Sequence, residues 1–200
     1  MTRYQAMFEC LGEDGAFGAF LMLGDPDLER SAALLDAVVA GGADMVEVGI
    51  PYSDPVADGP VIQAAAGRAL DAGVRVADSF DLIAGFRSRH PETPVGILTY
   101  ANLVVARGRE HFFRRAAGAG ADSLLVADLP ASEAEPWCAE MRAAGIAPVL
   151  IAASNTPQAT LEKVAALSQG YTYCVTRAGI TGTHNEARFD SALIDRLKAA

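Results

Sequence analysis

The chain has 200 residues, half of them hydrophobic (51%) and only 20% charged, enough apolar material for a sizeable core. Its formal net charge is −9, from 16 basic and 25 acidic residues, and no basic run offers a phosphate-neutralising surface. That disfavours nucleic acid as the main partner, but not a small anionic ligand held by backbone N–H groups. The three cysteines, Cys10, Cys138 and Cys174, are odd in number and far apart, which argues against a disulfide framework or a zinc site. The first residues lack the apolar core of a signal peptide, and no segment reaches the roughly 20 apolar residues of a membrane span. The expectation is a cytoplasmic protein of one domain, residues 1–200.

In chain order, a short helix is expected over 4–11. Six near-continuous apolar runs follow, at 16–23, 45–49, 95–99, 123–127, 147–151 and 171–175, as expected of parallel strands buried on both faces. Amphipathic segments separate them. Leu28, Ala32, Leu35 and Val39 recur at helical spacing after Asp27, a plausible N-cap. Ser132-Glu133-Ala134-Glu135 reads as a capping box, and Thr156-Pro157 as an N-cap followed by proline at the first helical position. Gly41-Gly42-Ala43-Asp44 before the second strand is echoed by Ala119-Gly120-Ala121-Asp122 before the fourth. Repeated βα units of roughly 30 residues suit an α/β barrel lacking its last units, or an open doubly wound sheet. The dinucleotide fingerprint GxGxxG is absent after the first strand, which disfavours the second.

Glu47 sits in the second strand among valines, where desolvation is costly and raises a carboxyl pKa. Alternation puts Met45 and Glu47 on one face, Val46 and Val48 on the other; in a barrel one face is the interior. Eleven positions later, Asp58 lies in a loop stiffened by Pro51, Pro55 and Pro60. Together they form a candidate acid/base pair. A structural carboxylate at 47 and Asx-turn aspartates at 54 and 58 are the plainer alternatives, and local chemistry does not rank Asp54 against Asp58.

The stretch from Glu47 to Gln63, with its core Gly-Ile-Pro-Tyr-Ser-Asp-Pro-Val-Ala-Asp-Gly-Pro, resembles the signature of the tryptophan synthase α subunit family. Leu23-Gly24-Asp25-Pro26, Tyr100-Ala101-Asn102-Leu103, Val126-Ala127-Asp128-Leu129-Pro130, Gly170-Tyr171-Thr172-Tyr173 and Arg177-Ala178-Gly179-Ile180-Thr181-Gly182 resemble the same family in the same order. The resemblance implies a (β/α)8 TIM barrel that cleaves indole-3-glycerol phosphate to indole and glyceraldehyde 3-phosphate. It implies that Glu47 is the general acid/base and that Asp58 accepts the indole N–H. Tyr173 would line the site beside Glu47, and Thr181 would bond Asp58 when its loop closes. Phe20, Leu98, Leu125, Ala127 and Ile151 would surround the indole ring, and Gly182 would donate to the phosphate. The implied partner is a pyridoxal-phosphate-dependent β subunit in an αββα complex, met through Pro51, Asp54 and Pro55; this chain itself needs no cofactor and no metal.

The chain ends inside what reads as the sixth barrel helix, so most of the family's phosphate cradle is not represented, and weak substrate binding by these 200 residues is expected. Met22 stands where the family often has threonine, and Ala152-Ala153-Ser154-Asn155 replaces a more proline-rich turn. Rival readings are an indole-3-glycerol phosphate synthase type of barrel, a stand-alone lyase releasing free indole, and a non-catalytic subunit that activates a β subunit. The first wants a lysine near a strand end, whereas Lys163 and Lys198 fall in helical segments.

Overall fold

The computed structural model describes residues 1–175 and 191–200. Several helix starts have a local cause. Helix α1 (Arg3–Leu11) is opened by a capping box in which Thr2 and Gln5 exchange side-chain and backbone bonds. Strand β1 (Gly18–Met22) leads to α2 (Leu28–Ala40), where the Asp27 carboxylate accepts the Arg30 N–H at 2.8 Å, as its N-cap position demands. After β2 (Met45–Gly49) come two helices, α3 (Pro60–Asp71), with proline in its first turn, and α4 (Val76–Arg89). Strand β3 (Val95–Thr99) is followed by the short α5 (Ala101–Val105) and by α6 (Arg109–Gly118). Then come β4 (Ser123–Val126), α7 (Ala134–Ala143), β5 (Ala147–Val149), β6 (Ile151–Ala153), α8 (Gln158–Leu167), β7 (Tyr173–Val175) and α9 (Ser191–Lys198).

Among the described residues all strand pairs are parallel. Strands β1 to β5 form one sheet in sequence order, and β6 and β7 form a second. The apolar run 147–151 therefore divides. Its first half pairs with β4, and Leu150 then hands the chain to β6, which pairs with β7. The order and direction are those of the first six βα units of a TIM barrel.

Two helix starts differ from the sequence expectation. Helix α7 takes Glu133 as its N-cap, with no side-chain cap, so the Ser132–Glu135 box does not form. The turn donates Glu133 N–H to Pro130 O, and Pro136 lacks the N–H that would make the first helical bond to Ser132 O, so Ser132 cannot serve as the N-cap. Helix α8 begins one residue later than expected, with Pro157 at the N-cap. The Thr156 hydroxyl is committed to the Ala153 N–H at 2.9 Å, closing the turn after β6.

Alternate strand residues serve two environments. Facing the helices, Val46, Val48, Val95, Ile97, Leu124 and Val126 pack with Phe80, Phe86, Phe112 and Phe113 in the main core. Each such buried side chain is worth about 1.5–3 kcal/mol. The opposite face lines the barrel interior.

The sequence echo is a repeated clasp. Asp44 donates its N–H to Phe17 O at 2.9 Å while its carboxylate accepts the Phe17 N–H at 2.7 Å. Asp122 does the same with Val95, at 2.8 Å each way. Gly42 and Gly120 precede them at positive φ, +97° and +88°, where side-chain-free residues are needed. Each clasp joins the N-terminal ends of two neighbouring strands.

Candidate active site

Strand register sorts the interior into rows. Phe20, Glu47, Gly96, Ser123 and Ala147 are successive partners across β1 to β5. One step toward the C-terminal mouth, the row is Met22, Gly49, Leu98, Leu125 and Val149. An apolar row thus lies directly above the one that carries a carboxylate. Ile151 pairs with Tyr173 further round, and Ala127 continues the inner face past the end of β4, its N–H held by Thr99 O at 2.8 Å. A Cβ at Gly49 would lie 2.9 Å from both Met22 Cε and Phe20 Cζ, so these two side chains would have to shift to admit one. Met22 in turn packs on Ala65 and Ala66 of α3.

Glu47 is 8% exposed. Burial pushes its carboxyl above the ordinary carboxylate range, opposed by one bond, from the Tyr171 hydroxyl to Oε1 at 2.7 Å. Among the described residues no cation pairs with it. A carboxyl so placed holds its proton to higher pH than a solvated one, which favours proton delivery to a carbon centre.

Asp58 closes the loop after β2. Its N–H bonds Pro55 O at 3.0 Å, and Gln63 Nε2 bonds its carbonyl at 2.8 Å, setting it just before Gly59, the N-cap of α3. It is half-buried; burial raises its pKa, and a bond from the Tyr100 hydroxyl opposes the rise. That hydroxyl also accepts the Ala57 N–H at 3.2 Å, so Tyr100 ties the loop to the end of β3. The Tyr52 and Tyr100 rings lie 5.3 Å apart, and Asn102 Nδ2 bonds the Tyr52 hydroxyl at 2.9 Å. Asp54, by contrast, is exposed and bonded by its neighbour Ser53.

Tyr173 ties the two carboxylates to one space. Burial raises its pKa first, and the negative charges of Glu47 and Asp58 raise it further, which places both within electrostatic reach of its hydroxyl. Phe20, Leu98, Leu125, Ala127, Ile151 and Tyr173 thus share the face that bears Glu47, with Asp58 at its rim. Thr181 and Gly182 lie outside the described residues. Pro51 is buried, so Asp54 and Pro55 present the outer side of the loop instead.

Sequence reasoning passed over Tyr171 and Tyr100 as site residues, although both stand in the quoted motifs. Alternation from Tyr173 is the signal that finds Tyr171. Tyr100 had no such signal, since its role depends on the fold of a loop 43 positions away. Among the described residues no group of three or more His, Cys, Asp or Glu could hold a metal ion, and no helix is long and apolar enough to cross a membrane.

The family model described as tryptophan synthase alpha chain matches residues 11–200. The chain belongs to the tryptophan synthase α-chain family. A tryptophan synthase alpha chain from Shewanella amazonensis is 52% identical over 189 residues, covering 94% of this chain and 71% of the relative. A Mycobacterium tuberculosis tryptophan synthase structure superposes with a TM-score of 0.89 at 32% identity, covering 99% of this chain and 76% of the other. The tryptophan synthase α2β2 complex of Pyrococcus furiosus gives a TM-score of 0.77 at 37% identity, over 80% of this chain and 65% of that one. The tryptophan synthase α family makes the fold a TIM barrel and the chemical class that of a lyase of tryptophan biosynthesis.

Proposed function

We propose that the site cleaves indole-3-glycerol phosphate by a retro-aldol reaction, with Glu47 as general acid/base and Asp58 as charge stabiliser. The protonated carboxyl of Glu47 delivers its proton to indole C3, and Asp58 accepts the ring N–H as positive charge develops on nitrogen. The bond between C3 and the glycerol carbon then breaks. Its electron pair returns to the ring, and the glycerol hydroxyl, losing its proton to the Glu47 carboxylate, becomes the aldehyde of glyceraldehyde 3-phosphate. The carrying observation is the burial of Glu47 beneath the apolar row of Met22, Leu98, Leu125 and Val149, with Tyr171 holding Oε1. The deeper burial of Glu47 keeps a proton available, while Asp58 is half-exposed with a donor on its carboxylate. Phe20, Leu98, Leu125, Ala127 and Ile151 are assigned to the ring, Tyr173 to the space between the acids, and Thr181 and Gly182 to the closing loop and the phosphate.

This chain is assigned no cofactor. The assigned partner is a pyridoxal-phosphate-dependent β subunit, met on the loop after β2. Exposed Asp54 and half-exposed Pro55 stand there beside Val56 and Val61, 74% and 72% exposed. Copurification tests the partner.

The test of the chemistry is Glu47→Gln in the protein as its cell makes it, which keeps shape and removes the ionisable group. Indole release is expected to fall by about 10²–10⁴-fold. A loss under about tenfold would show that Glu47 is not the acid/base.

A further inference from the structure

Two glycines open a passage beneath Glu47. A side-chain carbon at Gly96 would stand 2.6 Å from the Ser123 hydroxyl oxygen, 3.1 Å from that of Tyr4 and 3.4 Å from that of Tyr171. One at Gly170 would press to 2.9 Å from Tyr4 Cδ2. Into that space α1 inserts Tyr4, 2% exposed, whose ring meets Tyr171 edge-on at 5.5 Å. The Tyr4 and Ser123 hydroxyls are 2.8 Å apart, the Tyr171 hydroxyl shares their space around Gly96, where Ser123 acts on it as a donor and lowers its pKa, and Tyr171 donates to Glu47 at 2.7 Å.

Proton counting gives the chain a direction. Tyr171 spends its one proton on Glu47, so its oxygen can only accept; Ser123 therefore donates to Tyr171 and accepts from Tyr4. We infer that Tyr4 and Ser123 are positioning residues for Glu47: three hydroxyls, each donating toward the carboxylate, hold it from the barrel floor and link the N-terminal helix to the acid/base group. Hydrogen bonds aligned this way polarise one another. The inner end is anchored by consecutive residues, because Asp122, next to Ser123, pairs with Arg3 at 2.9 Å, next to Tyr4.

The groups facing Glu47 are few. Tyr171 faces it from the approach to β7 and Tyr173 from β7 itself, Tyr4 from α1, and Phe20 and Gly96 flank it across the ladder. Asp122 and Arg87 act on Tyr4 from behind. The assignment takes its catalytic meaning from the role of Glu47 proposed above, but its geometry stands apart from that role.

The test is the titration of Glu47 in protein labelled at glutamate ¹³Cδ, its resonance assigned by loss in Glu47→Gln, with thermal midpoints measured alongside. Tyr171→Phe removes the bond itself and is expected to raise the Glu47 midpoint by about one pH unit. Tyr4→Phe, which keeps the ring, is expected to raise it by about 0.1–0.3 of a unit, the share attributable to polarisation along the chain. Ser123→Ala falls between the two. A Glu47 midpoint unmoved in both Tyr4→Phe and Ser123→Ala overturns the inference, whatever happens to thermal stability. Indole release surviving in Glu47→Gln would instead overturn the proposed chemistry and leave these shifts intact.

Discussion

Toward the helices, β2, β3 and β4 present Val46, Val48, Val95, Ile97, Leu124 and Val126, all buried hydrocarbon. One residue over on the same strands, the inner face presents Glu47, Gly96 and Ser123 in a single row. The outer face is filled by large side chains from α4 and α6. Beside the acid, β3 and β4 contribute only the small Gly96 and Ser123 to that row, with tyrosines reaching in from outside the sheet. Dense packing and tolerance of a buried carboxylate are thus separated by the pleat of the strand, so a change on one face need not be felt on the other.

Three measurements would break or sharpen that contrast. The largest effect belongs to the outer face. Phe113, fully buried among Phe112, Trp137 and the sheet, should lose about 3–5 kcal/mol of stability on change to alanine, measured by denaturant unfolding. A loss below about 1 kcal/mol would mean that the core is not held from this side. Next, Gly96→Ala should cost about 1–3 kcal/mol, because its new carbon meets the Ser123 hydroxyl at 2.6 Å. Full stability in that variant would show the inner row to be looser than drawn. The smallest effect has the opposite sign. Burial raises the Glu47 pKa above its ordinary 4.5, so the folded protein holds that proton to higher pH than the unfolded chain. The associated stability is complete below the unfolded value and is lost as pH rises through the folded one. Glu47→Gln should therefore unfold at higher temperature than the parent, with a gap that widens as pH rises from 4.5, by about 1.4 kcal/mol per unit of displacement. A gap that narrows over that interval would contradict the buried-acid assignment.

Much of the fold was legible because valine- and isoleucine-rich runs announce buried parallel strands. The second and third strands fall where the apolar runs lie. The run 147–151 was readable as a strand but not as two, since hydrophobicity does not say which neighbour each half will meet. The helices α3 and α5 sit in stretches also rich in loop signals, and tertiary packing decides them. At the site, Glu47 stood out as a charge in an apolar strand. Ser123 and Tyr4 did not, because a serine and a tyrosine 119 positions apart carry no pattern that joins them. The capping residues of α7 failed for a local reason, the proline at its third position.

The paired aspartate clasps bear on how reliably this arrangement assembles. A parallel ladder repeats every two residues, and nothing in a run of valines distinguishes one alignment from its neighbour. Shifting β2 by a single residue would turn Glu47 out among the phenylalanines and bring a valine into the chamber. Asp44 and Asp122 bond their partners both ways at one position only, so they act as index marks that make the misaligned sheet forfeit two bonds at its first rung. The accuracy of the chemistry at one end of the barrel is thus secured by a check made at the other.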